Sequence, residues 1–393
     1  MAESYQPKFS RASLNVLMIV STVLIVIFGQ TARKAEKTDF PTAPKFPVSA
    51  WQTDSGAKIW YSPYLTDGLE IQLWYDAGYR YDTEHQGLAF MLASLIRQEA
   101  KARELPISVS LDPDFLKVGI ILSTDPVAMK RQIDQLQSLL RRPTLDHKIL
   151  AQLRTANTRL SQALIQQLYG QHPYAGPDNG VETQRDSVTR ADVQKFHQQF
   201  MHPQRLHGAI VGDINQHTAQ IIMESLLPPS RHPHEAVGQL SSMPWHSSGH
   251  SHQTAYALPG FGQDNQDHKT PSAQHAVDLA MTEAILKQVG DVQIQLIPGM
   301  VNSTLLINAD AATLQTMKSA VDSDMIALAQ RHLISQWLTQ VNQSSGLCLW
   351  LAMSNAYGYG EHELQLWFDQ AAKWDEDQWQ TVADTWLATP TQL

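Results

Sequence analysis

The hydrophobic and polar positions between residues 49 and 227 follow two periods in turn. Apolar residues at every second position, with aromatic residues among them, indicate strands at Lys58–Tyr61, Leu69–Tyr75 and Leu116–Leu122. The apolar run Gly87–Ile96 predicts a buried helix. The other elements predicted in this segment are helices at Asp125–Leu140, Leu145–Leu168 and Thr189–Phe200 and a closing strand at His207–Val211.

The same order of strands and helices returns in shorter form between residues 254 and 393. A strand at Thr254–Leu258 precedes a helix at Ser272–Gln288. Strands followed by helices in both segments indicate an α+β protein with two related units. The remaining predicted elements are strands at Val292–Ile297 and Ser303–Ile307 and helices at Ala311–Ala329, Ser335–Gln343 and Trp374–Leu387.

One apolar segment lies outside this alternation. Ala12–Phe28 contains no charged residue, and its 17 positions meet the lower limit of the roughly 17–25 that cross a bilayer as a helix. We predict a single transmembrane signal anchor; a cleaved signal peptide is the alternative, although Gln30-Thr31-Ala32 is a poor cleavage site. Basic residues flank both ends, so the positive-inside rule does not fix the orientation. The expected location is the bacterial inner membrane, with the body in the periplasm.

Composition excludes several classes of protein. The net charge of −9 argues against nucleic acid as a partner, because nucleic-acid-binding domains present a basic face. A single cysteine, Cys348, excludes an intramolecular disulfide and a zinc site made only of cysteines. Charged residues make up 17% of the chain against a typical value of about 25%, and the uncharged segment accounts for part of the difference.

Residues 228–253 are rich in Pro, Ser, Gly and His, which predicts a linker between the two units. His246, His250 and His252 are weak candidate metal ligands, because short histidine-rich tracts can bind metal. Gly249 and the neighbouring serines argue against a helix that would bring His246 and His250 together. A solvated, flexible linker is therefore the preferred interpretation, and any metal binding there should be weak and pH dependent.

Six segments resemble, in order, the insulinase-type (pitrilysin, M16) metallopeptidase family. They are Asp54–Trp60, Leu73–Asp82, Gly87–Ala89, His172–Pro177 with Ser187–Val193, Val211–Ile214 and Tyr256–Gly260. No single segment is specific, but together they cover most of residues 50–393 in the family's order. The resemblance implies two homologous halves, each an antiparallel sheet with packed helices, that close as a clamshell around a peptide.

The resemblance and the sequence patterns together define the predicted domains. These are an N-terminal tail at 1–11, a transmembrane anchor at 12–30, a linker at 31–48, an N-terminal half at 49–227, the histidine-rich linker at 228–253 and a shortened C-terminal half at 254–393.

Active members of the family carry an inverted zinc motif, H-x-x-E-H, on the helix after G-L-A. Histidines at i and i+4 share a helix face and can hold one zinc ion, and the glutamate can act as general base on zinc-bound water. In this chain Phe90, Ala93 and Ser94 stand where the resemblance places the His, Glu and His. Phenylalanine and alanine cannot bind a metal, and a serine hydroxyl is a poor zinc ligand. We therefore expect no catalytic residues, no zinc and no other cofactor.

Two further features of the family are missing from the sequence. Its third zinc ligand is a glutamate on a downstream helix, but no glutamate lies between Glu104 and Glu182. Asp146 and His147 are the only carboxylate and histidine in the corresponding stretch, 145–164. Active members also place an Arg and a Tyr early in the second half. Here no Arg lies between 231 and 331, and no Tyr lies between 256 and 357.

The resemblance and the emptied motif together predict a catalytically inactive, membrane-anchored M16-like protein. The expected role is a non-catalytic subunit that helps an active M16 sister chain, or a second copy of itself, to hold a peptide or unfolded polypeptide. A stand-alone peptide-binding scaffold is the alternative. A metallopeptidase with a relocated site, built on the linker histidines, has the least support.

Overall fold

The computed structural model describes residues 40–66, 68–82, 85–154, 162–176, 185–227, 246–250, 253–262, 272–290 and 292–387. The predicted membrane anchor lies outside these residues. Within them, no helix combines the length and apolarity needed to cross a membrane. The described residues from Thr42 onward form one compact body.

Helices and strands alternate along the described residues. The strands are β1 (Ser49–Gln52), β2 (Lys58–Pro63), β3 (Gly68–Tyr75), β4 (Ile107–Leu111), β5 (Leu116–Ser123), β6 (Leu206–Gly212), β7 (His246–His250), β8 (Gln253–Pro259), β9 (Ile294–Ile297) and β10 (Asn302–Ile307). The α-helices are α1 (Leu88–Ala102), α2 (Pro126–Arg141), α3 (His147–Arg154), α4 (Gln162–Tyr169), α5 (Arg190–Phe200), α6 (Gln216–Leu226), α7 (Ser272–Val289), α8 (Ala311–Ala320), α9 (Ser323–Val341), α10 (Ser344–Tyr357), α11 (Glu363–Lys373) and α12 (Glu376–Thr385).

The first sheet has six strands in the order β1-β2-β6-β3-β5-β4. Strands β2 and β6 run parallel and the other neighbours antiparallel, so the purely antiparallel sheet predicted from the resemblance is corrected to a mixed one. Leu69, Ile71 and Leu73 of β3 point into the main core, as their period-two spacing predicts. Helix α5 begins at Thr189 with a capping box to Asp192, which confirms the predicted cap.

The second sheet has four antiparallel strands in the order β7-β8-β10-β9. Its first strand, β7, lies within the segment 228–253 predicted as a flexible linker, so that prediction is wrong for residues 246–250. His250 pairs with Gln253 and His246 with Ala257, so this end of the segment is half of a β-hairpin. The strand was missed because its Ser, Gly and His composition gives no apolar alternation.

Each unit contributes a helix that packs on the sheet of the other unit. Helix α4, which precedes the second sheet by about 80 residues, packs on β7 and β8. There Leu164, Leu168 and Tyr169 share a small core with Ala255 and Ala257 of β8. In the other direction, α10 lies over β6 and β3 of the first sheet. Each sheet is therefore covered in part by the other unit.

Polar contacts fix α10 on the first sheet. The Asn355 side chain donates to the carbonyls of Lys58 at 2.8 Å and Gly208 at 3.0 Å. One end of the same face carries Ser344, whose hydroxyl donates to the buried Glu70 carboxylate at 3.3 Å. Because these contacts lie on one face of the helix, they hold its register over the sheet.

A buried carboxylate ties three distant segments together. Asp114 is 0% exposed and pairs with the Arg80 guanidinium at 2.5 Å. It also accepts hydrogen bonds from the Tyr174 hydroxyl at 2.9 Å and from the backbone N–H of Met300 at 2.6 Å. These donors lie in two short 3-10 turns of the first unit and in the loop before β10. Asp114 therefore links the two units at one point.

Candidate functional site

The site predicted from the resemblance lies on the first two turns of α1. Gly87 precedes the helix with φ of +94°, a left-handed conformation that glycine adopts without strain. The Asp82 carboxylate accepts hydrogen bonds from the N–H groups of Gly87 at 2.6 Å and Ala89 at 2.9 Å. These bonds satisfy donors that a helix start leaves free and orient α1 against the sheet.

The three positions that the resemblance aligns with the zinc motif are packed rather than open. Phe90 is half-buried and packs against the main core. Ala93 and Ser94 are 2% and 4% exposed. None of the three offers a carboxylate or imidazole, so the donor set at this helix face does not fit a zinc ion. What the face does provide is apolar packing between α1 and the sheet.

The resemblance places a third zinc ligand in the stretch 145–164. This stretch brings no carboxylate to the face of α1 that carries Phe90, Ala93 and Ser94. Leu150 and Leu153 of α3 are the residues that enter the core beside α1. Asp146 and His147 are exposed at the start of α3, and Asp146 accepts from the backbone N–H of Lys148 at 2.7 Å. The carboxylate therefore caps its own helix.

The structure does not bring the linker histidines into a described site. His246 and His250 stand four residues apart in β7, where the rise of about 3.3 Å per residue separates their backbones by about 13 Å. The i, i+4 proximity considered for them belongs to a helix, which this segment does not form. His252 lies outside the described residues.

A polar pair beside α1 has no local sequence signal, because its two residues lie 102 positions apart. The Ser187 hydroxyl lies 3.3 Å from Nδ1 of His85, just before Gly87. The nearby Asp192 carboxylate accepts from the N–H and the hydroxyl of Thr189, both at 2.7 Å, and these bonds lower the pKa of Asp192. Since Asp192 is engaged in capping α5 and the serine–histidine contact is exposed, the group lacks the buried, oriented base of a hydrolase triad.

The pH dependence of stability should report on Asp82. Burial raises its pKa to about 7, although the N–H groups of Ala89 and Gly87 oppose the rise. The folded chain then holds this proton to higher pH than the unfolded chain. The resulting stabilisation is complete below about pH 4 and is lost as the pH rises through about 7.

The amide side chain that Asp82→Asn introduces cannot titrate. The unfolding free energy of this variant should therefore fall less steeply between pH 4 and 7 than that of the wild type. The two slopes should differ by up to about 1.4 kcal/mol per pH unit. Urea unfolding at four pH values measures the slope. Asp369→Asn, at an exposed position of α11, should keep the wild-type slope. Equal slopes for Asp82→Asn and the wild type would contradict the assignment.

Beside α1, strand β4 forms one edge of the first sheet. The N–H of Asp112 donates to the carbonyl of Phe115 where β4 turns into β5. Antiparallel pairing alternates along a strand, so Ser108 and Ser110 direct their backbone groups at β5. The backbone groups of residues 107, 109 and 111 therefore point outward.

Only some of these outward backbone groups have a hydrogen-bond partner. The N–H of Ile107 donates to Leu105 at 2.8 Å, and the Arg97 guanidinium donates to the Val109 carbonyl at 2.8 Å. Among the described residues, the N–H of Val109 and both backbone groups of Leu111 have no partner. An edge with free donors and acceptors can pair with an added strand.

No protein-family model and no curated protein matches the sequence. Solved structures do match it. The inactive domain of an M16 peptidase from Pseudomonas fluorescens has a TM-score of 0.65 at 18% identity, over 86% of this chain and 94% of that one. The first half of the periplasmic protease PqqL from Escherichia coli has a TM-score of 0.60 at 14% identity, over 89% of this chain and 91% of that one. The fold is therefore M16-like.

This chain spans about half the length of the complete PqqL chain. PqqL matches it at a TM-score of 0.59 and 15% identity, over 89% of this chain but 46% of PqqL. The two sheets described above together correspond to one half of that protein. That the two units close as a clamshell around a peptide stays a prediction.

Proposed function

We propose that this chain is a non-catalytic M16-like subunit that helps an active M16 zinc peptidase to hold its peptide. The observation that carries the proposal is the packing of Phe90, Ala93 and Ser94 in a retained M16-like fold. A helix face without ligands cannot activate water, whereas the surrounding scaffold is complete enough to bind another chain. The likeness to an M16 domain described as inactive supports the same role.

The share of PqqL that this chain covers supports pairing with a second M16-like half. An enclosure built from two such halves would include one half besides the one described here. An active sister chain supplies both the second half and the zinc site. A second copy of this chain would supply only the enclosure.

The free edge of β4 is the proposed place for the peptide. An extended peptide placed beside β4 can pair with the free groups of Val109 and Leu111, as in strand addition. It would also pass next to α1, where an active chain would carry its metal. The predicted anchor at 12–28 would hold the complex at the inner membrane, with the body in the periplasm.

Co-expression of the full-length chain with an M16-type chain that retains H-x-x-E-H tests this function. We expect a stable complex in which the sister's hydrolysis of a fluorogenic peptide rises at least about tenfold. We expect the chain alone to carry no stoichiometric zinc and to show no hydrolysis. A sister variant with its first motif histidine changed to alanine is the control and should abolish turnover in the complex.

Two outcomes would replace the proposal. Stoichiometric zinc with turnover by the chain alone, unchanged in Phe90→Ala, would establish a relocated catalytic site. A chain that stays separate from the sister but retains peptide would establish the stand-alone scaffold.

A further inference from the structure

A crevice of about 340 Å³ lies on the face of the first sheet that α10 partly covers. Its floor is formed by strands β3, β5 and β4, and its wall by the corner between α9 and α10. Residues that line it include Gln72, Ser108, Ser110, Gly119, Gln343 and Ser345. We call this the polar crevice; it opens directly beside the free edge of β4.

The polar crevice presents hydrogen-bonding groups that the protein leaves unused. The side chains of Gln72, Ser108, Ser110 and Ser345 have no hydrogen-bond partner among the described residues. Gly119 allows two of them to converge, because a Cβ at that position would lie 2.6 Å from both the Gln72 amide nitrogen and the Ser108 hydroxyl. Hydroxyl and amide groups can both donate and accept, so they suit polar side chains of either kind.

The polar crevice offers no unpaired charged side chain among its described lining residues. Lys117 is the one charged side chain among the lining residues that the structure describes. Its ammonium group is paired with Asp112 at 2.5 Å and lies 3.8 Å from the centre of the Trp74 ring. With this cation already neutralised and stacked, an acidic group in the crevice would gain little, while a neutral polar group can use the free amide and hydroxyls.

The two faces of β4 differ in character. Ser108 and Ser110 are exposed on the side of the polar crevice, whereas Ile107 and Leu111 pack against the core on the side of α1. The half-buried Phe90 also lies on the α1 side. Because side chains of an added strand alternate between the two faces, the crevice would meet every second residue of a peptide paired with β4.

From this arrangement we propose that the polar crevice selects extended peptides with uncharged hydrogen-bonding side chains, Ser, Thr, Asn or Gln, at alternate positions. Apolar side chains at the intervening positions would face Phe90, Ile107 and Leu111. The inference rests on the proposed function, since it places the peptide on the edge of β4.

Fluorescence anisotropy with three labelled nine-residue peptides tests the selectivity on the full-length chain. The peptides share valines at four alternate positions and terminal lysines for solubility, and carry Gln, Glu or Leu at the positions between. We expect the Gln peptide to bind at least about tenfold more tightly than the Glu peptide and more tightly than the Leu peptide.

Variants of the polar crevice should change that order. Ser108→Val combined with Gln72→Leu should weaken the Gln peptide about five- to twentyfold, the loss expected for one or two hydrogen bonds, and should leave the Leu peptide unchanged or tighter. Ser49→Val, on the opposite edge strand β1 of the same sheet, is the matched control and should leave all three affinities unchanged. Circular dichroism confirms that each variant is folded.

The outcomes separate the two proposals. Absence of binding by all three peptides would overturn the placement of peptide on β4 and with it the proposed function. Binding of all three with equal affinity would overturn the selectivity alone. The comparison among peptides needs no variant, so a misfolded double variant leaves the test intact.

Discussion

Asp114→Asn is expected to lower the free energy of unfolding by about 3–5 kcal/mol. The reason is that the Arg80 guanidinium, which is largely buried, loses the carboxylate with which it forms a direct ion pair, and an amide cannot neutralise it. The same change weakens the bonds from Tyr174 and Met300, so the contact between the two units loosens as well. Urea unfolding of the full-length chain and the variant measures the difference.

A control variant and a double variant test whether the loss comes from breaking the buried ion pair or from removing any negative charge. Asp134→Asn breaks an exposed pair with Lys130 and should change the unfolding free energy by less than about 1 kcal/mol. Adding Arg80→Met to Asp114→Asn removes the stranded charge, so the double variant should be more stable than the sum of the two single losses predicts. If Asp114→Asn stays within about 1 kcal/mol of the wild type, the carboxylate does not hold the two units together.

Much of the fold follows from local pattern. Strands β3 and β5 and helices α2 and α5 are confirmed close to their predicted positions because each carries apolar residues at the period of its element. Helix α10 was missed because it has no polar stripe. It is buried against the first sheet on one side and against α9 on the other, so its sequence is apolar almost all round.

The long-range arrangement could not be predicted from local pattern. The parallel pairing of β2 with β6, the exchange of α4 and α10, and the Asp114 contact all join residues more than 30 positions apart. Periodicity specifies which face of an element is buried but not which element covers it. The resemblance supplied the order of the elements, and the structure supplied their partners.

The candidate site could also be predicted only in part from the sequence. That Phe90, Ala93 and Ser94 carry no ligand chemistry is evident from the residue types alone. Their burial, and the use of Asp146 to cap its own helix, required the structure. So did the polar crevice, because its residues come from strands and helices far apart in the chain. Residue types show which chemistry a position can perform, whereas a binding surface depends on tertiary packing.

A chain with Phe90→His, Ala93→Glu and Ser94→His is expected to bind no stoichiometric zinc and to hydrolyse no peptide. It should also lose at least about 3 kcal/mol of unfolding free energy, because the new glutamate and second histidine enter positions that are 2% and 4% exposed. Two histidines without a third protein ligand also fall short of a zinc site, since Asp146, exposed at the start of α3, is the only carboxylate in the stretch where the resemblance places the third ligand.

Metal analysis after dialysis against zinc, a fluorogenic peptide assay and urea unfolding together measure these effects. Lys101→Glu, on the exposed face of the same helix, is the matched control for adding a carboxylate and should stay within about 1 kcal/mol of the wild type. Stoichiometric zinc and turnover in the triple variant would show that this helix face opens to solvent and that a third ligand lies within reach. The chain would then be an enzyme that lacks only its motif, and its proposed role as a non-catalytic subunit would have to be abandoned.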